Sequence, residues 1–238
     1  GYGAAPMAPA RILRAMDVFG PVLAQGYGAG ETTSAVCALT MDDHLFARAA
    51  RPERLASCGL PLLECEVELL DDAGQPVAQG EIGEIVHRSP HVMLGYWNDP
   101  EKTAEAFRNG WFHSGDLAYA DEEGYLYIVD RKKDIIITGG ENVSGREVEE
   151  AMYGHPAVAE VAAIGVPHPK WVEAVAIVVT AKKGQAVTEQ ELLDYGREHL
   201  TAFKAPKYAV LVDDLPRNAS GKLLKRRLRE QYAGLAEA

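Results

Sequence analysis

The sequence predicts an α/β protein made of two successive parts, on the strength of three observations. A helical pattern over residues 10–19 is followed by a predicted buried strand at 22–24 that enters a glycine-rich loop. Short β segments then alternate with turns up to residue 130, and from residue 131 strands alternate with amphipathic helices. Residues 1–130 hold 8 basic and 20 acidic residues, a net charge of −12, whereas residues 131–238 hold 16 and 15, a net charge of +1. This difference places a domain boundary near residue 130, giving parts 1–130 and 131–238.

The first part begins with a helix and continues into strands. Ile12, Leu13, Met16 and Phe19 recur at helical spacing, and Gly20-Pro21 ends the predicted helix. Farther along, residues 66–70, 83–87 and 125–129 have the composition of strands, and turns rich in Asp, Gly and Asn separate them. This pattern predicts a small barrel or mixed sheet.

The second part has the pattern of a compact α+β unit. Strands are predicted at residues 135–138, 161–165, 174–180 and 208–212. Ser144 and Glu147 form a capping box that opens a helix to about residue 153, and Thr188 with Glu191 opens another. A basic helix is predicted from residue 221 to about 232.

Composition excludes several classes of protein. The chain of 238 residues is 47% hydrophobic, which is enough for a real core, and its net charge of −11 argues against a nucleic-acid or membrane-surface protein. No apolar run approaches the ~20 residues of a membrane helix. The three cysteines form no CxxC pair, so neither a disulfide framework nor a zinc site is indicated. We therefore expect reduced thiols in a cytoplasmic protein.

The segment from Gln25 to Glu31 is the first whose residue types indicate a role in ligand binding. Its glycines let the backbone approach a flat ligand, and Tyr27 offers an aromatic face. Glu31 is a hard oxygen ligand of the kind that suits Mg²⁺. A tight turn that carries a glutamate by chance explains the same residues equally well.

The segment from Trp111 to Asp116 is the second. A carboxylate that follows a glycine in a tight turn can accept hydrogen bonds from both hydroxyls of a ribose. The alternative is an aspartate that binds its own backbone in the turn. The aromatic pair before it and Asp130-Arg131 downstream favour the ribose interpretation.

Two further segments lie in the second part. A charged stretch at 130–134 precedes a strand and Gly139-Gly140, and a solvated linker is the alternative there. Lys222 follows a Ser-Gly turn, so its ammonium can reach a distant anion and stabilise charge that develops in a transition state. The alternative is the end of a solvated basic helix, which is the better interpretation for residues 225–229.

In this order the four segments resemble those of the adenylate-forming superfamily, which comprises acyl-CoA synthetases, luciferases and peptide-synthetase adenylation domains. The resemblance covers essentially the whole chain and is closest to acyl-CoA synthetases. It implies that residues 1–130 are the C-terminal part of a large AMP-binding (adenylation) domain, with the end of a parallel sheet and a small β-barrel. Residues 131–238 would then be a small α+β lid domain.

The resemblance also implies roles for nucleotide ligands. Tyr27 and Gly28 would contact adenine, and Gly3, Ala4 and Ala5 would line its other side and the acyl pocket. Asp116 and Arg131 would bind ribose, and Glu31 would bind Mg²⁺.

Three more roles concern the second part. Lys133 would be the hinge, Gly139 and Gly140 would line the pantetheine tunnel of coenzyme A, and Lys222 would be the catalytic lysine. The chain departs from the family pattern at Gly30 and Ser114, where threonine is usual, and at Gly145, where proline is usual. Thr32 or Thr33 could replace the hydroxyl that Gly30 lacks.

The implied activity is that of an ATP-dependent acyl-CoA synthetase. A carboxylic acid, either fatty or aryl/cinnamoyl, would attack ATP to give acyl-AMP, and coenzyme A would then displace AMP. No Ser/Thr/Gly-rich phosphate loop ending in lysine occurs in the sequence, so we expect the N-terminal half of the enzyme, joined or as a separate chain, to supply it. The chain alone would be inactive.

Two other hypotheses remain open at this point. One is a non-catalytic module that binds AMP or an acyl-adenylate. The other is a lid that binds nucleic acid or a protein partner through its basic tail, which the acidity of the chain disfavours.

Overall fold

Helices and sheets are mixed along the whole chain, which confirms the predicted α/β class. The computed structural model describes residues 1–4, 7–218, 221 and 223–236. By its internal contacts the chain divides into two units, Gly1–Val129 and Asp130–Ala238, which are described in turn.

The elements of the first unit are, in chain order, β1 (Tyr2–Gly3), α1 (Pro9–Phe19), β2 (Gln25–Gly28), β3 (Ala35–Leu39), α2 (Met41–Ala50), β4 (Leu60–Pro61), β5 (Glu66–Leu70), β6 (Gly83–Arg88), α3 (Pro100–Ala106), β7 (Phe107–Arg108), β8 (Trp111–Ala120) and β9 (Leu126–Arg131). β1 to β4 form a sheet in sequence order, and the β1–β2 pair is parallel. A second sheet has the order β5-β6-β8-β7, and β9 pairs with β8.

The predicted strand at residues 22–24 is wrong. The strand lies at β2, within the segment that was expected to be a glycine-rich loop. Val22 is 57% exposed, and its N–H donates to the Gly20 carbonyl in a turn. Backbone partners decide the position, because β1 and β3 are in register with Gln25 and the residues that follow it.

The second unit contains β10 (Ile136–Thr138), β11 (Glu141–Val143), α4 (Gly145–Met152), β12 (Val158–His168), β13 (Val172–Ala181), α5 (Glu189–His199), β14 (Tyr208–Leu211) and α6 (Lys225–Gln231). Its sheet has the order β11-β10-β13-β12, and β14 pairs with β13 in parallel. The predicted basic helix begins later than expected, because Arg217 and Leu223 form a β-bridge ahead of it.

Both faces of this sheet are covered, which explains the continuous apolar run along β13. On one face Val161, Ala163, Val175 and Ile177 pack with Met152 of α4 and Leu192 of α5. On the other face the intervening residues of β12 and β13 pack with Leu215 and with Leu228 of α6. Burial of each such large side chain stabilises the fold by about 1.5–3 kcal/mol.

Polar contacts fix the helices of the second unit. Thr188 and Glu191 form the predicted reciprocal cap of α5 at 2.7 and 3.2 Å, and the Ser144 hydroxyl accepts the Glu147 N–H at 3.2 Å. Glu149 of α4 accepts the Ala163 N–H of β12 at 2.9 Å and pairs with Lys225 of α6 at 2.8 Å. One carboxylate thus connects two helices with one strand.

Candidate functional site

Tyr27 and Asp116 lie together although 89 residues separate them in the sequence. The Tyr27 hydroxyl donates to Asp116 Oδ2 at 2.7 Å. Burial raises the pKa of Tyr27 well above its usual range, and the Asp116 carboxylate adds to the rise, so the phenol stays protonated as a donor. The residues predicted to contact adenine and ribose therefore form one polar pair within the first unit.

A bulge in β8 presents Asp116, in place of the predicted tight turn. Residues 84 and 86 of β6 pair with 117 and 113, so Ser114, Gly115 and Asp116 oppose Ile85 alone. Gly115 has φ +73°, a conformation that costs other residues about 1–2 kcal/mol. The Ser114 hydroxyl donates to the Ile85 carbonyl at 2.6 Å and accepts the Asp116 N–H at 3.1 Å. Ser114, a departure from the family pattern, thus holds the bulge closed.

Glu31 lies in a short 3-10 helix, Gly30–Thr32, directly after β2. Its Oε1 atom accepts the Tyr96 hydroxyl at 2.9 Å, and its carbonyl accepts the Met93 N–H at 2.7 Å. Burial and the neighbouring Glu31 raise the pKa of Tyr96 to about 12, so this phenol also remains a donor. The contact fixes one carboxylate oxygen of Glu31.

Thr32 and Thr33 differ in their ability to replace the hydroxyl missing at Gly30. Thr32 is fully buried, and its hydroxyl is engaged with the backbone of Ala29 and Ser34 at 2.9 and 2.6 Å. Thr33 is exposed, and its hydroxyl donates to the His91 carbonyl at 3.1 Å. Thr33 is therefore the better candidate of the two.

The start of the chain runs beside β2. Gly3 pairs with Gly26, one residue before Tyr27, and Ala4 is exposed. Gly28 closes β2 opposite Ala35. Ala5, the third residue predicted in this stretch, lies outside the described residues.

Lys133 and Gly139-Gly140 belong to the second unit, and so does Arg131, the last residue of β9, because that strand runs past the end of the first unit at Val129. The Arg131 N–H donates to Asp130 Oδ1 at 2.7 Å, and Lys133 lies exposed in the 3-10 helix Lys132–Asp134. Gly139 and Gly140 form the two-residue turn between β10 and β11 with φ values of +61° and +89°. Such a hairpin requires left-handed residues at both positions, which is a structural reason for these glycines beside the one implied by the resemblance.

Lys222, the predicted catalytic residue, lies outside the described residues. Its neighbours are placed by Arg217, which donates to the Gly221 carbonyl at 2.8 Å and pairs with Glu160 at 2.5 Å. Leu223 then forms the bridge with Arg217. The described residues on both sides of Lys222 therefore have defined backbone contacts.

Sequence reasoning missed Tyr96 and Glu84, both of which hold predicted site residues. Tyr96 left no local signal, since its partner lies 65 residues away. Glu84 left a weak one, because a carboxylate interrupts the otherwise apolar run at residues 82–86.

Glu31 suits Mg²⁺ as a single carboxylate ligand that acts together with ligands from a substrate. Mg²⁺ is usually bound by one or two carboxylates together with substrate phosphates. No group of three or more potential metal ligands occurs among the described residues, so a cage made by the chain itself is absent there. Also within this described part, the helices are too short and too polar to span a membrane.

Comparison with known proteins gives two matching families. The "AMP-binding enzyme" family matches residues 1–97, and the "AMP-binding enzyme C-terminal domain" matches residues 147–222. Among curated proteins, a medium/long-chain fatty-acid–CoA ligase of Mycobacterium tuberculosis is 43% identical over 238 residues, covering 97% of this chain and 41% of the relative. A feruloyl-CoA synthase of an Amycolatopsis species is 44% identical over 230 residues, covering 97% of this chain and 45% of the relative.

A solved structure shows the same fold. The o-succinylbenzoate-CoA synthetase of Bacillus subtilis, in complex with its acyl-adenylate intermediate, has a TM-score of 0.84 and 37% identity. The match covers 95% of this chain and 45% of that protein. The chain thus spans less than half the length of the relatives it matches.

Proposed function

Since the chain belongs to the AMP-binding enzyme family and is similar to acid–CoA ligases along its length, we propose that it forms the AMP-binding side and the lid of an ATP-dependent acyl-CoA synthetase. The observation that carries the proposal is the hydrogen bond from Tyr27 to Asp116, because it unites the predicted adenine and ribose residues.

The proposed reaction has two steps. A carboxylate oxygen of the acid attacks the α-phosphorus of ATP, the bond to pyrophosphate breaks, and acyl-AMP forms. The thiol of coenzyme A then attacks the acyl carbon, and AMP leaves. The intermediate step turns a poor electrophile into an activated one.

The first unit would bind the nucleotide. Asp116 accepts the ribose hydroxyls while its Oδ2 atom keeps the Tyr27 O–H, and the Tyr27 ring and Gly28 contact adenine. In this proposal Gly3, Ala4 and Ala5 would line the opposite side. Glu31 would hold Mg²⁺, which when bound neutralises phosphate charge. Tyr96 leaves the second Glu31 oxygen for that ion.

The second unit would supply the remaining groups. We propose Arg131 as a further ribose ligand, Lys133 as the hinge and Gly139-Gly140 as the lining of the pantetheine tunnel. Lys222 would bridge the attacking carboxylate and the α-phosphate, which stabilises the charge that develops between them. This division of roles corresponds to a large AMP-binding domain that ends at residue 130 and a lid at 131–238.

Two further parts of the proposal concern the acid substrate and the phosphate loop. The relatives are named for fatty and feruloyl substrates, so we propose a fatty or an aryl/cinnamoyl acid. We further propose that the N-terminal half of the enzyme supplies the triphosphate loop. The three free cysteines support a cytoplasmic location.

Titration of the chain with AMP tests the nucleotide site. Asp116→Ala should weaken binding by about tenfold or more, because a hydrogen-bonded carboxylate contributes at least ~1.5 kcal/mol. Glu122→Ala, which removes an exposed carboxylate of the same unit, is the control and should leave the affinity unchanged. Equal affinities for Asp116→Ala and wild type would reject the site.

Lys222→Ala in the complete enzyme tests the chemistry. Carboxylate-dependent pyrophosphate release should fall by about 10²–10³-fold while AMP affinity is retained. Equal AMP affinity of wild type and Lys222→Ala, with no carboxylate-dependent pyrophosphate release from either, would favour the non-catalytic AMP-binding module instead.

A further inference from the structure

Glu84 is a buried carboxylate to which the proposed chemistry gives no role. It lies in β6 and is 5% exposed. Burial of a charged group is costly unless the group is paired and hydrogen-bonded, so its contacts indicate what it stabilises.

These contacts converge on the bulge that carries Asp116. Glu84 Oε1 accepts the Gly115 N–H at 3.2 Å. Glu84 Oε2 lies 3.2 Å from Nδ1 of His113, the residue before the bulge, and 3.7 Å from the Arg108 guanidinium. Both oxygens of one carboxylate therefore face the residues that set the course of β8 there.

The bulge needs such a partner. Three residues oppose Ile85 alone, so the regular strand ladder does not satisfy the N–H groups of all three. The Asp116 N–H donates to Ser114 Oγ at 3.1 Å, which leaves Glu84 as the acceptor for Gly115. Gly115 is adjacent to Asp116, so the hydrogen bond from Glu84 fixes the peptide from which the Asp116 side chain projects.

We propose that Glu84 is a positioning residue for ribose binding: by accepting the Gly115 N–H it holds the bulge in the conformation that directs the Asp116 carboxylate at the ribose hydroxyls. This inference rests on the proposed function, in which Asp116 binds ribose. The role requires an acceptor at this position rather than a negative charge.

The binding of two nucleotides distinguishes a positioning role of Glu84 from a general effect on the stability of the unit. AMP has both ribose hydroxyls, and 2′,3′-dideoxy-AMP has neither. In Glu84→Ala the dissociation constant for AMP should rise about tenfold, since each hydrogen bond that is misaligned loses its contribution, while that for the dideoxy nucleotide changes by less than about twofold. Glu84→Gln keeps an acceptor for Gly115 and should retain the wild-type ratio of the two constants.

The outcomes are distinct. A wild-type ratio in Glu84→Ala overturns the positioning role, and so does loss of the ratio in Glu84→Gln as well, because charge would then be the requirement. A wild-type chain that does not distinguish the two nucleotides counts against the nucleotide site itself, whatever Glu84 does.

A measurement made without nucleotide distinguishes failure of the inference about Glu84 from failure of the proposed nucleotide site. Hydrogen exchange of the Gly115 amide, followed by NMR, should accelerate about tenfold or more in Glu84→Ala and remain slow in Glu84→Gln, because only the first variant loses the acceptor. Unchanged exchange in Glu84→Ala overturns the inference independently of AMP. Dispersed spectra of both variants show that the unit is folded.

Discussion

At the scale of single residues, two hydroxyl groups contact Asp116, one at its side chain and one at its backbone. The Tyr27 hydroxyl binds its Oδ2 atom, and the Ser114 hydroxyl binds its backbone N–H. Tyr27 is the donor to the side chain, and Ser114 is the acceptor of the backbone N–H. A carboxylate has two oxygens and about four lone-pair sites, so it can accept hydrogen bonds from a diol as well as from a tyrosine. The site is thus arranged around an acceptor before a nucleotide arrives.

Tyr27→Phe should lower the free energy of unfolding by about 1–2 kcal/mol, because it removes a hydrogen bond to a charged group. AMP affinity should fall as well, since the ring remains but the carboxylate is no longer aligned. Urea unfolding and AMP titration measure the two effects. Tyr119→Phe changes a half-exposed tyrosine that stacks on Tyr127 in the same unit, and it should be neutral; equal stability of both variants would contradict the role of the Tyr27 hydroxyl.

His87 should make the stability depend on pH. It is 2% exposed and lies against Phe112, and burial, with His91 nearby, lowers its pKa to about 4. Between these two pKa values the unfolded chain therefore binds a proton at His87 that the folded chain does not bind. Stability is fully present above the unfolded pKa of about 6.5 and falls by about 1–3 kcal/mol as the pH drops toward 4.

The measurement is urea unfolding at a series of pH values. His87→Phe should remove most of the slope between pH 6.5 and 4, whereas His91→Asn, a change of the nearby half-buried histidine, should keep it. If His87→Phe and wild type have the same slope, the loss of stability comes from other groups.

At the scale of elements, local patterns predicted the second unit better than the first. Four of its five strands were predicted from local composition, and the helix caps at Ser144 and Thr188 from capping motifs, because these depend on neighbours in sequence. The strand that forms β2 was expected too early, and a tight turn was expected where β8 has its bulge, since the backbone partners that decide both lie in β1, β3 and β6. The same limit applies to the site: residue types indicated Tyr27 and Asp116, but their hydrogen bond and the roles of Glu84 and Tyr96 depend on tertiary contacts.

The β10–β11 hairpin allows the structural and functional reasons for its glycines to be separated. Gly139→Asn should fold like wild type, because asparagine followed by glycine suits this turn and the nearest atom, in Trp171, lies 3.8 Å from the added Cβ. In the complete enzyme it should slow the thiol step and leave pyrophosphate release intact. A fully active variant would refute the tunnel role.

Gly140→Ala should instead lower stability by about 1–2 kcal/mol through the left-handed conformation alone. No described atom lies within 4 Å of the added Cβ, so a clash is not the cause. Thermal unfolding of the two variants side by side measures this difference. A loss in Gly139→Asn as large as that in Gly140→Ala would contradict a two-residue turn with left-handed residues at both positions.

At the scale of the whole molecule, each unit has its own buried clusters. The second unit packs both faces of one sheet within Asp130–Ala238, and the first is built around residues of β3, β6 and β8. The charge difference between the two parts follows the same division. Each unit therefore has the internal contacts that a domain requires.

Residues 130–238 expressed alone should fold cooperatively. The expectation follows from the two apolar clusters on either side of β12 and β13, which are complete within that segment. A dispersed NMR spectrum and a single urea transition would support it, and the spectrum of an unfolded chain would contradict it. Ile177→Val, which removes one buried methyl group from the first of these clusters, should lower the free energy of unfolding of the segment by about 1 kcal/mol.

The contact of Glu149 with Ala163 has a consequence for solubility. β12 is the last strand of its sheet in the described chain, and an open strand edge invites pairing with another molecule. Glu149 occupies one N–H of that edge, and Lys225 holds it there. We therefore expect this carboxylate to hinder pairing of the apolar strand β12 with a strand of another molecule.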